Sequence, residues 1–426
     1  MTRLTQVDAF FVAYQQAHGV ALQLACEAEL EGPLARPQLE RALRHTVRRW
    51  PQLGQRLRAG LVGVRWAGAP RLELEQGPAE ESSAWRNRLV DPFREAPCAV
   101  RWSPTPRGGR VAFRFHHAVA DGEAVYTVVQ AVLESAARAS AGREPEPRDP
   151  RPAEHPFGVG SLLRGRRGTW RSMWQSLRGL QREAKQNDST RLALASTDPG
   201  PVRVDTYRLG ARELATLGLR ARAFEVTSNL CVAACWARAL SRFNAARGVD
   251  PGSKLSLEVP FSVRRGPATE VLGNLVSPLV LSGPGRAPVG VLARRYGQQW
   301  RTQRAARAHL AMPFFTAPGR FLPWPVFRRL AADEAWSGFA SGHYTWLEDP
   351  QGLGPSIAAA SDGALRLTDY LMHPPVCRTM GATLVAYRAG DALNLYLATR
   401  TTALSVEAAR ELGCCLLDEL RAVIEA

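Results

Sequence analysis

Residues 111–122 run Val111-Ala112-Phe113-Arg114-Phe115-His116-His117-Ala118-Val119-Ala120-Asp121-Gly122. Val111, Phe113 and Phe115 alternate with other residues, which predicts a strand with one buried face. That strand runs straight into two adjacent histidines. Asp121-Gly122 then makes a turn, and the following AVYTVVQAVLESAARA repeats its apolar residues at helical spacing. Such a unit presents an imidazole at a strand end, facing a cleft. Histidine is scarce, eight in 426 residues, and composition alone would give this pattern in about one such chain in a thousand.

The chemistry this spacing allows is acyl transfer. His117 at a strand end can serve as a general base near neutral pH. It would take a proton from a hydroxyl or amine as that group attacks a thioester carbonyl. The departing thiolate needs little acid help, because a thiol pKa is about 8.5. Gly122 lets the backbone come close to substrate, and a helix starting there offers N–H groups and a positive dipole end to an oxyanion. Asp121, beside a tight turn, is expected to be ion-paired and to hold the turn. A metal site would need further ligands, and no Cys or Glu cluster lies near. No GxSxG elbow and no phosphate loop occurs, so no activated nucleophile is apparent.

Upstream, VALQLACEAEL predicts a strand, and Leu39, Leu43 and Val47 predict a helix opening at Pro37 and ending near Trp50-Pro51. Short strands are expected near LVGVRWA and RLELEQ, and CAVRWSPTPRGGRVAFRFHH reads as two strands joined at Arg107-Gly108-Gly109. Residues 140–200 change character. AGREPEPRDPRPAEHP reads as a linker. SLLRGRRGTWRSMWQSLRGLQREAK is basic and amphipathic, with Trp170, Trp174, Leu177 and Leu180 on one face. It reads as a crossover helix packed on its own protein, or as a contact for a membrane or carrier partner.

From about residue 201 strands and helices begin again: VRVDTYRL, ELATLGLRARA, then NLCVAACWARALSRF capped by Thr227 or Ser228. LSLEVPFSV and GNLVSPLVLS read as strands, and GVLARRYGQQWRTQRAARAHL as one helix. GATLVAYRAGDALNLYLATRT is a hairpin around Ala389-Gly390-Asp391, and SVEAARELGCCLLDELRAVI is the last helix. The fold class is therefore α/β, an α+β sandwich in two lobes. The lobes divide as residues 1–195 and 196–426, the first ending in the linker and crossover segment at about 140–200. The halves read as two copies of one architecture.

Lys and Arg number 55 against 39 Asp and Glu, a net charge of +16, yet only Lys185 and Lys254 are lysines. Arginine spread along the whole chain looks like coding bias and a solvated surface, so no nucleic-acid partner is expected. The seven cysteines are odd in number and form no CxxC, which fits neither a disulfide framework nor a zinc site and suits a reducing cytoplasm. The opening MTRLTQVDAFF lacks the features of a signal peptide, and no apolar run reaches about 18 residues, so no transmembrane segment is expected. A cytoplasmic monomer is expected, with peripheral membrane contact left open.

HHAVADG resembles the HHxxxDG motif of the superfamily that holds nonribosomal peptide synthetase condensation domains, wax ester synthase/diacylglycerol acyltransferases, polyketide-associated acyltransferases and chloramphenicol acetyltransferase-like enzymes. LTQVDAFFVAY resembles the opening of its free-standing members, and LERALRHTVRRWPQLGQRLR their first helix. VPFSVRR followed by LGNLVSPLVL resembles their second-lobe region. Pro97-Cys98-Ala99 departs from the P-L-W of wax ester synthases.

The resemblance implies two chloramphenicol-acetyltransferase-like lobes in a V-shaped pseudo-dimer, with a central tunnel and His117 midway. The donor would be a phosphopantetheine thioester, on CoA or an acyl carrier protein, as substrate and not as a bound cofactor. The product would be an ester or amide of a small-molecule or carrier-bound acceptor, in natural product biosynthesis. Asp121 would pair with Arg264, or else Arg265, and His116 would hold the loop. Asn274 would lie near the cleft, or serve a turn. His343 would approach the tunnel, or be a buried, hydrogen-bonded histidine. The alternatives are a wax-ester or diacylglycerol-type lipid synthase, and a non-catalytic module of the same fold that recruits a carrier protein or partner enzyme.

Overall fold

The first half of the chain forms helix α1 (Gln6–His18), strand β1 (Gln23–Glu31), helix α2 (Arg36–Arg49), the hairpin β2 (Arg56–Ala59) and β3 (Val64–Ala67), and β4 (Leu74–Gln76). Short helix α3 (Ser82–Asn87), β5 (Cys98–Thr105), β6 (Gly108–His116) and α4 (Gly122–Ser140) complete it. The second half forms β7 (Val202–Leu209), α5 (Ala211–Ala223), α6 (Ser228–Ala245), β8 (Leu255–Ser262), β9 (Val276–Gly283), α7 (Val289–Ala305), α8 (Ala308–Thr316) and α9 (Trp324–Ala331). It ends with β10 (Gly342–Asp349), α10 (Leu353–Ala360), β11 (Arg366–His373), β12 (Ala382–Ala389), β13 (Ala392–Arg400) and α11 (Val406–Glu425). This computed structural model describes residues 3–144, 171, 174–179, 189–250, 254–264, 271–333, 340–349 and 352–426. Most of the expected linker and crossover helix, with Trp170, Leu180 and Arg265, lies outside the described residues. Of the apolar face expected there, Leu177 is buried against Ala311 and Phe314, whereas Trp174 is 44% exposed.

The strand that ends on the histidines is the middle of a five-stranded sheet of order β11-β1-β6-β5-β4. Leu24, Cys26, Ala28 and Leu30 of β1 and Val111, Phe113 and Phe115 of β6 face one core. Against them α4 lays Val125, Val128, Val129, Val132, Leu133 and Ala136, each at most 1% exposed. Burying each Val or Leu there contributes about 1.5–3 kcal/mol, and this packing holds the start of α4 beneath the strand end. α2 packs beside α4 with Leu39 and Leu43 in the same core.

The second sheet has order β7-β13-β12-β10-β8-β9. Leu255, Leu257 and Val259 of β8, Tyr344 of β10 and Leu384 and Ala386 of β12 face a core with α6, α7 and α11. The intervening residues face the first half. Val385 and Tyr387 of β12 belong to the first core, and Leu347 of β10 packs on it. Each half is thus a sheet with helices on its outer side, as expected.

Chain order and sheet membership differ at one place. β11 follows β10 in sequence but pairs antiparallel with β1, so residues 366–373 add a strand to the first sheet across the expected 195/196 division. α1 makes the converse connection. It packs on α8 and α9, and Gln6 Nε2 donates to the Pro313 carbonyl at 2.6 Å. The single helix expected over 290–310 is two helices. Arg307 takes a left-handed φ of 54°, which ends α7 and turns α8 back against β9.

Candidate active site

His116 and His117 close β6 and leave it in opposite directions. The His116 N–H donates to the Pro97 carbonyl at 2.7 Å and that of His117 to the Leu22 carbonyl at 2.9 Å, so the strand end is tied on both sides. His116 is fully buried, and its Nδ1 accepts the Ala118 N–H at 3.0 Å, inside the turn. Burial, then the neighbouring His117, push its pKa down to about 3, which keeps it neutral. His117 keeps part of its surface accessible. The Phe11 ring of α1 stacks on its imidazole with centroids 3.9 Å apart and planes 4° apart.

Asp121 caps α4. Its Oδ1 accepts the Ala124 N–H at 2.9 Å and Arg264 Nη2 at 2.8 Å, while Oδ2 accepts the Leu275 N–H at 2.8 Å. The two side chains of the ion pair are 2% and 4% exposed. Arg264 also donates to the carbonyls of Val271 at 2.6 Å and Gly273 at 2.9 Å, and its Nε lies 3.5 Å from Glu123. The carboxylate therefore joins a strand end of the first half to the 264–275 segment of the second. Gly122 opens α4 under Leu347, and a Cβ there would come within 3.3 Å of Leu347 Cδ1. Because Asp121 takes the Ala124 N–H and puts negative charge at this helix start, the turn is a poorer oxyanion donor than the sequence suggested.

Asn274 is fully buried and lies at the site rather than in a separate turn. Its side-chain amide donates to the His117 carbonyl at 2.6 Å and to Asp8 Oδ1 at 2.8 Å, and its backbone N–H donates to the same oxygen at 2.9 Å. Asp8 Oδ2 in turn accepts the Thr5 hydroxyl at 2.7 Å, in the cap of α1. A chain of bonds thus runs from α1 through Asn274 to the backbone of His117. Asp8 and Phe11 both lie in the LTQVDAFFVAY segment. The resemblance marked that segment, but only tertiary contacts give either residue a role.

Burial lowers the His117 pKa; its own backbone, Asp121, Asn274 and Asp8 pull the other way. The ring is neutral at physiological pH and able to accept a proton. His343 stands on β10 between Thr383 and Glu258 of the neighbouring strands, on the side facing the first half. Burial, then His117, lower its pKa to about 4, so the two imidazoles are within electrostatic reach. Glu123 accepts a bond from the Ser262 hydroxyl at 2.8 Å, and burial raises its pKa.

Two cavities lie away from His117. One, about 430 Å³, lies among Arg222, Asn229, Trp300, Arg301 and Arg304 where α5, α6 and α7 meet. The other, about 20 Å³, lies beside Gln23, Arg86 and His373. The larger one abuts the outer, helix-covered side of the second sheet: Trp300 packs on Phe261 of β8 at 5.5 Å, and Tyr344 Oη donates to the Asn229 carbonyl at 3.0 Å. There β8 and β10 are in register only at Leu257–Gly342 and Glu258–His343. Among the described residues no group of three or more His, Cys, Asp or Glu could hold a metal ion. No described helix is long and apolar enough to cross a membrane.

No family model and no curated protein sequence matches the chain. Solved structures do. The X-domain from teicoplanin biosynthesis is 19% identical with a TM-score of 0.70, over 99% of this chain and 95% of that one. A mutant starter condensation domain of rhizomide synthetase RzmA, solved with C8-CoA and Leu-SNAC, is 16% identical with a TM-score of 0.69, over 99% and 93%. The condensation domain of the Monacolin K polyketide synthase MokA is 12% identical with a TM-score of 0.68, over 99% and 97%. The two sheet-and-helix lobes share their fold with all three. The chain has the condensation-domain fold.

Proposed function

We propose that the protein is an acyltransferase in which His117 moves an acyl group from a phosphopantetheine thioester, on CoA or a carrier protein, to a hydroxyl or amine. The observation that carries this reading is the state of His117. It is half-buried, kept neutral by burial, stacked on Phe11 and held from behind by Asn274. A neutral imidazole so fixed loses little orientational freedom on binding an acceptor, and it can take the proton as the acceptor attacks. The thiolate leaves, and the proton on His117 passes to it or to water. His116 and Asp121 keep the turn in shape, and Arg264 ties that turn to the second lobe. Gly122, lacking a side chain, lets the start of α4 lie close under Leu347.

Arg222, Arg301 and Arg304 around the larger cavity suit the phosphate end of such a donor. The solved RzmA domain with C8-CoA is consistent with such a donor.

A second reading, a module that recruits a partner enzyme, is favoured by the solved complex of a teicoplanin X-domain with OxyB. One experiment separates them. Thiol release from octanoyl-CoA with a panel of amine and alcohol acceptors is measured for the wild type and His117→Ala. A loss of about 10²–10⁴-fold in the variant, with its fold intact, supports transfer. Equal rates in the two proteins refute it.

A further inference from the structure

Eleven large hydrophobic side chains of the described residues are exposed, and five of them, Leu61, Val62, Phe321, Val326 and Leu330, come from two segments that touch. Leu61 and Val62 form the tip of the β2–β3 hairpin, which belongs to neither main sheet. Two glycines close that tip, the Gly60 N–H donating to the Gly63 carbonyl at 2.9 Å. The Gly63 N–H donates in turn to the Leu322 carbonyl at 3.3 Å, and a Cβ on Gly63 would lie 2.4 Å from the Arg320 carbonyl oxygen. Only glycine, here at a φ of 69°, lets the tip meet the 320–322 segment so closely. Phe321 lies in that segment, and α9 follows it. On α9, Trp324 and Phe327 turn inward against the first core, and Ala331 is buried. Val326 and Leu330, one turn apart, are left together on the outer side.

The apolar tip rises from a row of arginines. Leu57, Val64 and Trp66 of the hairpin are buried, so strand alternation turns Arg58 and Arg65 outward. Arg58 is the register partner of Arg65, and Arg65 that of Arg3, which sets three exposed arginines side by side. Like charges directly opposite one another destabilise a hairpin, and none of the three pairs with a described carboxylate. The row reaches the second segment: burial, then Arg3, lower the Arg320 pKa, against the pull of Asp8. Arg328 and Arg329 of α9 are exposed as well, again with no described carboxylate paired to them. Anionic lipid headgroups would neutralise such a border, while the fluid layer beneath them takes in protruding apolar side chains. An acidic protein would answer the charge but would also need a hollow shaped for Leu61, which is 95% exposed.

We propose that this face docks the protein on an anionic lipid bilayer. Leu61 and Val62 of the hairpin tip, with Phe321, Val326 and Leu330, enter the interface, and Arg3, Arg58 and Arg65 meet the headgroups. The claim is one of binding and holds whether or not the protein transfers acyl groups. It also sets the site near the bilayer, because α9 packs on α1, the helix that carries Phe11 against His117.

The test sediments the full chain with vesicles of phosphatidylcholine alone and of an equal mixture of phosphatidylcholine and phosphatidylglycerol. The wild type should bind the mixed vesicles about tenfold more tightly than the neutral ones, and less so as salt is added. A chain of net charge +16 can also be drawn to anionic vesicles by charge alone, so the deciding variant keeps its charge. Leu61→Ser with Val62→Ser should weaken binding to the mixed vesicles about tenfold. Both side chains are exposed, so the melting temperature should not change. Arg58→Gln with Arg65→Gln should weaken binding more than Arg212→Gln with Arg410→Gln, which removes the same charge from exposed positions on α5 and α11. No binding by the wild type, a tip variant that binds as the wild type does, or equal loss from the two arginine pairs overturns the proposal. So does a tip that acts elsewhere: a dimer seen by light scattering, or a complex with an acyl carrier protein, that the tip variant abolishes while vesicle binding stays unchanged.

Discussion

Replacing Asp121 by Ala removes one carboxylate that serves three donors: Arg264 Nη2, the Ala124 N–H and the Leu275 N–H. The ion pair is buried on both sides, at 2% and 4% exposure, and breaking such a pair by removing one partner costs about 3–5 kcal/mol. Loss of the helix cap alone costs about 1 kcal/mol. The two losses share the same oxygens and do not add in full. Arg264 keeps the Val271 and Gly273 carbonyls and has Glu123 at 3.5 Å, which softens the isolation of its charge. The expected cost is therefore about 3–4 kcal/mol, a large share of the roughly 5–15 kcal/mol that holds a typical domain folded. Asp121→Asn keeps an oxygen for the cap and should be milder by about 1 kcal/mol. Urea unfolding at pH 7.5, followed by tryptophan fluorescence and circular dichroism, measures each variant. Asp121→Ala, Arg264→Ala and the double variant complete a cycle. The double should cost clearly less than the sum of the singles, since neither unpaired charge then remains. A loss below about 1 kcal/mol for Asp121→Ala, or a cycle additive within about 0.5 kcal/mol, would refute the reasoning.

Phe11→Leu removes the ring stacked on His117 while filling most of its volume. Turnover should fall about tenfold with a nearly unchanged KM, because orientation and not binding is lost; an unchanged kcat would show the stack to be incidental. Asn274→Ala leaves Asp8 Oδ1 and the His117 carbonyl without their side-chain donor, and about 1–3 kcal/mol of stability should be lost along with activity. Stability that stays within about 0.5 kcal/mol of wild type would argue against the Asp8–Asn274–His117 chain. Acid should destabilise the protein earlier than its carboxylates alone require. His116, His343 and His373 have folded pKa values near 3, 4 and 3, below the unfolded value, so the unfolded chain binds more protons. Stability should then fall from about pH 6.5 downward, by up to about 1.4 kcal/mol per pH unit for each group, until the folded values are reached. Denaturation midpoints that stay flat between pH 6.5 and 5 would contradict this.

The sequence by itself determined the local structure wherever one face is buried. Alternation in VAFRF and helical spacing in VYTVVQAVLESAARA mark β6 and α4, because a strand or helix that covers a core on one side repeats its apolar residues with its own period. Gly, Ser and Thr at helix ends behaved likewise, and Thr227 caps α6 through the Leu230 N–H. The motif spacing also singled out His117, and the resemblance named Arg264. Tertiary structure decided the rest. β10 and β11 escaped notice because GHYTWLED and RLTDYLMH lack clean alternation, since each lies between unlike surfaces. β11 pairs with β1 more than 330 residues earlier in the chain, a contact no local pattern encodes. Asp8 and Phe11 look ordinary in the sequence: an acid in a helix cap and one of two adjacent phenylalanines. Each matters only through what the fold brings beside it. Stacking geometry and a shared acceptor oxygen are properties of position in space, and a single sequence records only order along the chain.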